Sequence, residues 1–153
     1  MATINEFLSE QHDLWLKHGP ASNVAIEQFE REANVSLPDD YRAFMLNSNG
    51  GTLRGPGERI EFLRIESMQD YLDDEDLNRD LPDMIVFGIT DGGGIYFFDP
   101  VNRFNRGAWA IYWGRMGYLE PAASRFVGRD LLAAAQRIVR GVDFFKEPEI
   151  GQG

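Results

Sequence analysis

The sequence predicts an α+β fold, in which N-terminal helices and a C-terminal helix pack on a mostly antiparallel sheet of about five strands. Three observations predict it. Apolar residues recur at helical spacing up to residue 51. Two nearly continuous apolar runs, 84–89 and 95–98, flank a glycine-rich turn, which is the pattern of a buried β-hairpin. A second helical stripe follows at 124–140. A chain of 153 residues is expected to form one domain, 1–153.

Two helices are predicted before residue 36. Thr3 and Glu6 form a capping-box pattern that opens the first helix. Its apolar stripe continues to Trp15, and Gly19-Pro20 is expected to end it. Ser22 is placed to cap the second helix. The residues expected to face inward are Ile4, Phe7, Leu8, Leu14, Ile26, Phe29 and Ala33.

The segment 36–51 predicts the helix around which the rest of the chain is organised. Pro38 is placed at its first helical position, where a missing N–H costs nothing. Asp39 and Asp40 follow in the first turn, where the helix dipole favours negative charge. Asn49-Gly50-Gly51 is expected to end it, because these residues accept left-handed backbone. Tyr41, Phe44 and Met45 are its predicted core residues.

Beyond residue 51 the pattern becomes mostly extended. Apart from the hairpin, the predicted elements are a loop at 52–58, a strand within 59–65, a short helix from Ser67, a polar loop at 73–83, a strand at 107–114, a turn at 115–117, the helix at 124–140 and a loose end at 148–153. The strand at 59–65 changes phase by one residue, which indicates a bulge or the end of the strand. Phe144 and Phe145 are expected to fold back on the body.

The charge of the chain is −10 with a sequence pI near 4.6, which argues against nucleic acid and anionic membrane as partners. The segment 66–83 holds eight acids and one arginine, whereas 101–140 holds seven arginines and two acids. An acidic and a basic side of the molecule are expected if these segments lie apart. No apolar run approaches the ~20 residues of a membrane span. The N-terminus lacks the features of a secretory signal, so a cytoplasmic location is predicted.

Several motifs along the chain together carry a family resemblance. They are Ile26, Phe29, Glu30, Leu37-Pro38, Asp40-Tyr41, Phe44, Asn49-Gly50-Gly51, Val86-Phe87-Gly88, Asp91-Gly92-Gly93-Gly94-Ile95-Tyr96, Ala123-Ser124, Phe126 and Leu131-Leu132. Their order resembles the SUKH superfamily, which includes fungal cell-wall assembly regulators and many bacterial immunity proteins. The resemblance covers about residues 20–140. Gly128 and Arg129 depart from the more apolar pattern expected in the closing helix.

No catalytic, metal or cofactor site is predicted. The glycines at 92–94 lead into a strand, whereas a phosphate-binding loop leads into a helix. The acids at 73–76 lack the spacing and central glycine of a calcium loop. His12 and His18 lie six residues apart on the predicted first helix and do not share a face. The chain has no cysteine, and no serine lies in a nucleophile elbow.

The resemblance implies a binding protein, most often an immunity protein that occludes a cognate toxin. Many such toxins are nucleases with basic substrate-binding surfaces, which an acidic inhibitor complements. Two alternatives remain open: a regulatory or scaffold module of the fungal type, and a hydrolase or small-ligand binder that uses the aromatic residues Tyr96, Trp109, Tyr112 and Trp113. The predicted partner-binding residues are Asp39, Asp40, Asp73, Asp74, Glu75, Asp76 and Asp91. No oligomeric state follows from the sequence.

Overall fold

The fold is built on one antiparallel sheet, seen in a computed structural model that describes residues 2–57 and 59–152. Seven strands in these ranges follow one another across the sheet in chain order, each antiparallel to the next. The α+β prediction is confirmed, although the expected strand number was too low. The strands are β1 (Trp15–Lys17), β2 (Gly51–Leu53), β3 (Ile60–Phe62), β4 (Ile85–Thr90), β5 (Gly94–Asp99), β6 (Ala110–Arg115) and β7 (Arg125–Gly128).

The first two helices begin at caps that the sequence supplies. Thr3 and Glu6 make the predicted capping box, and Ser22 accepts from the backbone N–H of Ala25. The helices are α1 (Ile4–Ser9), α2 (Asn23–Ala33), α3 (Asp39–Asn47), α4 (Ile65–Leu72), α5 (Glu75–Asp80) and α6 (Leu131–Val139), with 3-10 turns at Pro121–Ala123, Phe144–Lys146 and Ile150–Gln152. No helix among the described residues is long and apolar enough to cross a membrane.

Helix α3 forms as predicted, with two local corrections. Pro38 is the N-cap and not the first helical residue, and Ser48 ends the helix in extended backbone. The left-handed backbone comes later, at Gly50 with a φ of +83°. A side chain at Gly50 is excluded, because its Cβ would lie 2.5 Å from the carbonyl oxygen of Phe62. Glycine therefore lets the exit of α3 pass directly against β3.

The core lies where α3 meets the middle of the sheet. Phe44 and Phe62 pack with ring centroids 5.0 Å apart, and Tyr41 meets Phe98 at the same distance. Phe87 stacks on Phe98 at 4.2 Å. The predicted core residues of α3 are confirmed, since Tyr41 and Phe44 are at most 1% exposed. Strands β4 and β5 are central and buried, as the hairpin pattern predicted.

The predicted first helix is wrong beyond Ser9. The side chains of Ser9 and Gln11 donate to the carbonyls of Glu6 and Phe7, which adds side-chain hydrogen bonds to the last turn of α1. Trp15 then enters the edge strand β1, and its ring packs 5.9 Å from that of Phe44. The two histidines consequently lie on either side of β1 and not on a common helix.

The predicted helix at 124–140 is wrong in its first part. Residues 125–128 form β7, and α6 begins only after Asp130, which caps it by accepting from the N–H of Ala133. A Cβ at Gly128 would lie 2.8 Å from the backbone nitrogen of Ala134, so the helix rests on the strand at this glycine. The glycine that departed from the helical pattern marks the end of β7.

Three further predictions need correction. Strand β2, at residues 51–53, overlaps the start of the loop predicted at 52–58, and Glu58 lies outside the described residues. Helix α4 begins at Ile65, two residues earlier than predicted, because Asn49 accepts from the N–H of Ile65. The end predicted to be loose is tied to the start of β7, since Glu149 forms an antiparallel bridge with Arg125 and Ile150 donates its N–H to the carbonyl of Ser124. Gly153 lies outside the described residues. Phe144 does fold back into the core.

Candidate functional site

The acidic segment predicted as a polar loop at 73–83 contains helix α5. Asp73 ends α4, and Asp74 caps α5 by accepting from the N–H of Leu77 at 3.0 Å. Leu77 is only 7% exposed and fixes the helix to the core. Asp73, Asp74, Glu75 and Asp76 all remain exposed. Four consecutive carboxylates are therefore held at the surface by a short, anchored helix.

Arg79 provides the nearest positive charge to these acids. Its guanidinium donates to Asp80 and to Asp76, each at 3.2 Å. The hydrogen bond and charge of Asp80, followed by the charge of Asp76, raise the pKa of Arg79 above its usual value. Exposed ion pairs of this kind contribute little to stability. One arginine leaves the helix strongly acidic.

A tight turn at the end of β6 lies beside α5. Tyr118 donates its backbone N–H to the carbonyl of Arg115 at 3.0 Å. Gly117 has a φ of +87°, as the third residue of a type II turn requires. The N–H of Met116 donates to the carbonyl of Gly93, at 2.7 Å, which ties the turn to the β4–β5 hairpin. Met116 is 50% exposed and Tyr118 is 66% exposed. Two large side chains are thus exposed on a turn whose position is fixed by a hydrogen bond to the hairpin.

A groove of about 450 Å³ separates α5 from this turn. We call it the acidic groove; its acids are Asp74, Asp76, Asp80 and Glu120, and its apolar side chains include Tyr71, Met116 and Tyr118. Burial and the negative charges of Glu61 and nearby aspartates raise the pKa of Tyr71. The groove therefore combines apolar contact area with a negative potential.

Of the predicted partner-binding residues, Asp74 and Asp76 line the acidic groove, whereas Asp73 and Glu75 are their chain neighbours outside its lining. The remaining three lie elsewhere on the molecule. Asp39 is exposed in the first turn of α3. Asp40 is half-buried and accepts from the backbone N–H of its neighbour Tyr41, at 2.7 Å, and from that of Leu131 in α6, at 3.4 Å. Its carboxylate therefore joins two helices. Asp91 lies in the hairpin turn and forms an ion pair with Arg59 at 2.9 Å.

The two segments that would give an acidic and a basic side do not lie apart, so the condition for that separation is not met. Arg103 of the basic segment pairs with Asp83 of the acidic one. The segment 116–120 also lines the acidic groove, where it contributes Glu120. Sequence reasoning missed Met116 and Tyr118 as candidates, although a glycine turn between two large side chains was visible. Nothing local in the sequence shows that the fold leaves both of them uncovered.

The aromatic residues considered for small-ligand binding mostly belong to the core. Tyr96 and Trp113 border a second cleft of about 510 Å³ beside Arg115, but they are only 4% and 5% exposed. Tyr112 is fully buried and packs 4.7 Å from the ring of Phe104. The interpretation of these residues as buried core is confirmed for these three.

Metal-ligating side chains are not grouped within the described ranges, where no three histidines or carboxylates could hold one ion. His18 lies with its Nδ1 atom 3.2 Å from the carbonyl oxygen of Asn49, and its backbone N–H donates to Ser48. His12 is exposed in the turn before β1. Each histidine has a separate environment.

A family model described as the SMI1 / KNR4 family (SUKH-1) matches residues 20–128, which is more than half of the chain. This confirms the resemblance found in the sequence. The match includes the whole acidic groove. No curated protein matches the chain significantly.

Proposed function

The chain belongs to the SMI1/KNR4 family (SUKH-1), and from this premise we propose that it is an immunity protein that binds and neutralises a cognate bacterial toxin. The family supports a binding module of the immunity or SMI1-like type, which is generally non-catalytic. We infer that the chain acts by occlusion in the cytoplasm and performs no chemistry of its own. The partner is a basic toxin domain, most simply a nuclease.

The observation that carries this proposal is the placement of the acids. The exposed carboxylates of Asp73, Asp74, Glu75 and Asp76 lie on one short helix and the turn before it, and Asp74 and Asp76 line the acidic groove together with exposed Met116 and Tyr118. A nuclease must hold phosphates, so its substrate-binding surface carries lysine and arginine. The acidic helix would occupy that surface in place of the nucleic acid, while the neighbouring apolar side chains exclude water from the contact.

Electrostatic attraction of this kind acts mainly on the association rate. Charges of opposite sign steer two proteins together, and salt screens the effect over about 8–10 Å. The carboxylates from Asp73 to Asp76 are exposed, so their charges act through solvent and are sensitive to salt. The proposal therefore predicts fast association at low salt and a steep decrease as salt rises.

The test replaces Asp73, Asp74 and Asp76 with asparagine. The partner is the cognate toxin domain, once a neighbouring toxin gene identifies it, and association is measured by stopped-flow fluorescence from low to high salt. We expect association at low salt to slow by about tenfold or more and its salt dependence to flatten. Folding stability should stay nearly unchanged, because asparagine at residue 74 still caps α5.

A charge-matched control separates local steering from net charge. The variant with Asp13→Asn, Glu27→Gln and Glu32→Gln removes three exposed acids outside the acidic groove. It should retain most of the wild-type association rate. Equal rates in the two triple variants at low salt would show that the acidic helix is not the interface. Attention would then move to the predicted residues Asp39, Asp40 and Asp91.

The alternative is a regulatory or scaffold module that binds a signalling or cell-wall enzyme. The two functions differ in cells. An immunity protein restores growth when it is co-expressed with its toxin, and the effect requires direct binding. A scaffold leaves the toxicity of that domain unchanged.

A further inference from the structure

We propose that the acidic groove anchors a short basic segment of the partner that also carries an aromatic or long apolar side chain. The partner's cationic groups face the groove carboxylates, and its apolar side chain covers Met116 and Tyr118. This inference rests on the proposed protein-binding function and adds the chemistry of the segment that makes the contact.

The turn after β6 supplies the apolar part of the proposed contact. Met116 and Tyr118 are 50% and 66% exposed and are separated by one glycine, so together they form an uncovered patch. Methionine and tyrosine are enriched where proteins bind one another, and tyrosine often carries a large share of the affinity. The hydrogen bond from Met116 to Gly93 already holds the turn in place. Binding therefore requires little further ordering of the turn.

The acids that face this patch supply the charged part of the proposed contact. Asp76 and Asp80 share the single guanidinium of Arg79. Asp74 and Glu120 have no ion-pair partner within the part of the chain that the structure describes. An arginine or lysine from a partner is attracted by these carboxylates, whereas a phosphate or carboxylate is repelled.

The size of the groove limits what it can hold. Its volume of about 450 Å³ lies in the range of sites that bury a drug-sized ligand. The groove therefore takes a few neighbouring side chains of a larger partner. The rest of the interface must lie on the surrounding surface.

The experiment uses the full chain labelled with ¹⁵N and three acetylated, amidated tripeptides as probes. Arg-Trp-Arg carries both predicted features, Arg-Ser-Arg keeps only the charge, and Glu-Trp-Glu keeps only the aromatic ring. We expect Arg-Trp-Arg to give saturable amide shifts confined to residues 71–80 and 116–120. Arg-Ser-Arg should bind at least about tenfold more weakly, and Glu-Trp-Glu should cause no shift.

Two variants and one control assign the contact to the turn. Tyr118→Ala and Met116→Gln should each weaken Arg-Trp-Arg by several-fold to about tenfold and leave Arg-Ser-Arg nearly unchanged. Val101→Ala is the control, because Val101 is 60% exposed but does not line the groove. All three side chains are largely exposed, so the spectra should show an intact fold.

The inference is overturned if the shifts lie outside the groove or if Arg-Ser-Arg binds as well as Arg-Trp-Arg. It is also overturned if both turn variants bind like Val101→Ala. These results are distinguishable from failure of the proposed function. If the groove selects Arg-Trp-Arg but the chain does not neutralise the toxin, the binding site is supported and the toxin is not its partner. If both turn variants still neutralise the toxin, the proposed function is supported and the proposed contact in the acidic groove is refuted.

Discussion

Phe44→Ala tests whether α3 organises the core. The side chain of Phe44 is fully buried, and its ring lies within 5.9 Å of Trp15 and Tyr41 and 5.0 Å from Phe62. Truncating a buried phenylalanine costs about 3–5 kcal/mol. Because three aromatic contacts are lost as well, we expect the upper part of this range, about 4–5 kcal/mol. That is a large fraction of the ~5–15 kcal/mol that stabilises an ordinary domain.

Urea denaturation followed by tryptophan fluorescence and by far-UV circular dichroism measures this loss. The midpoint should fall while the slope with urea stays constant, and the melting temperature should drop by about 10–20 °C. Phe145→Ala is the matched control, since Phe145 is 52% exposed and its ring contacts the edge of the core, at Trp113, Arg115 and Arg125. It should cost about 1 kcal/mol. A loss below about 1 kcal/mol for Phe44→Ala would refute the placement of Phe44 in the core.

Two further predictions concern buried polar groups. Ser48 is fully buried, accepts from the N–H of His18 and donates to the carbonyl of Gly50, so Ser48→Ala should cost about 1–3 kcal/mol in urea denaturation. Burial and the charge of Asp99 raise the pKa of Tyr112 to about 12. Because the folded state then favours the neutral phenol, Tyr112 contributes fully to the free energy of unfolding below pH ~10. This contribution is lost as the pH rises to about 12. Tyr112→Phe should flatten that alkaline decrease in stability. It should not lower stability at pH 7, since the hydroxyl has no hydrogen-bond partner among the described residues. A loss of more than about 1 kcal/mol at pH 7 would contradict this.

The elements predicted well from the sequence are those with local signals. Helix α2 has a serine cap at residue 22, and the β4–β5 hairpin has long apolar strands joined by glycine. Helix α3 has an acidic first turn and a compact apolar stripe. Each signal lies within the element that it predicts, so no knowledge of distant contacts was needed.

The elements missed from the sequence depend on distant contacts. Strands β1 and β2 have three residues each and exist because they pair with one another and with β3. The apolar residues of β1 continued a helical spacing, and only the packing of Trp15 against Phe44 and Phe62 shows that they are extended. Phe126 likewise fitted a helical stripe, but it lies in β7, opposite Tyr112. Short strands of this kind carry too few residues for periodicity to decide.

The candidate site divides in the same way. A run of carboxylates from residue 73 to residue 76 is visible in the sequence, and it stays exposed in the fold. The exposure of Met116 and Tyr118 is not visible there, because it depends on how far α5 and the hairpin turn extend over the end of β6. Isolated apolar residues on a surface are common, and they indicate a site only where they adjoin a complementary feature.

The fold of the acidic segment allows binding to be separated from stability. Leu77 and Leu81 are buried, so they hold α5 in place, whereas the carboxylate charges add little to its stability. Asp74 is the exception, because its oxygen caps the helix, but the amide oxygen of asparagine can accept the same hydrogen bond. The variant that neutralises Asp73, Asp74 and Asp76 therefore changes the electrostatic potential and leaves the scaffold intact. A slower association of that variant, with an unchanged midpoint in urea, can be assigned to charge alone.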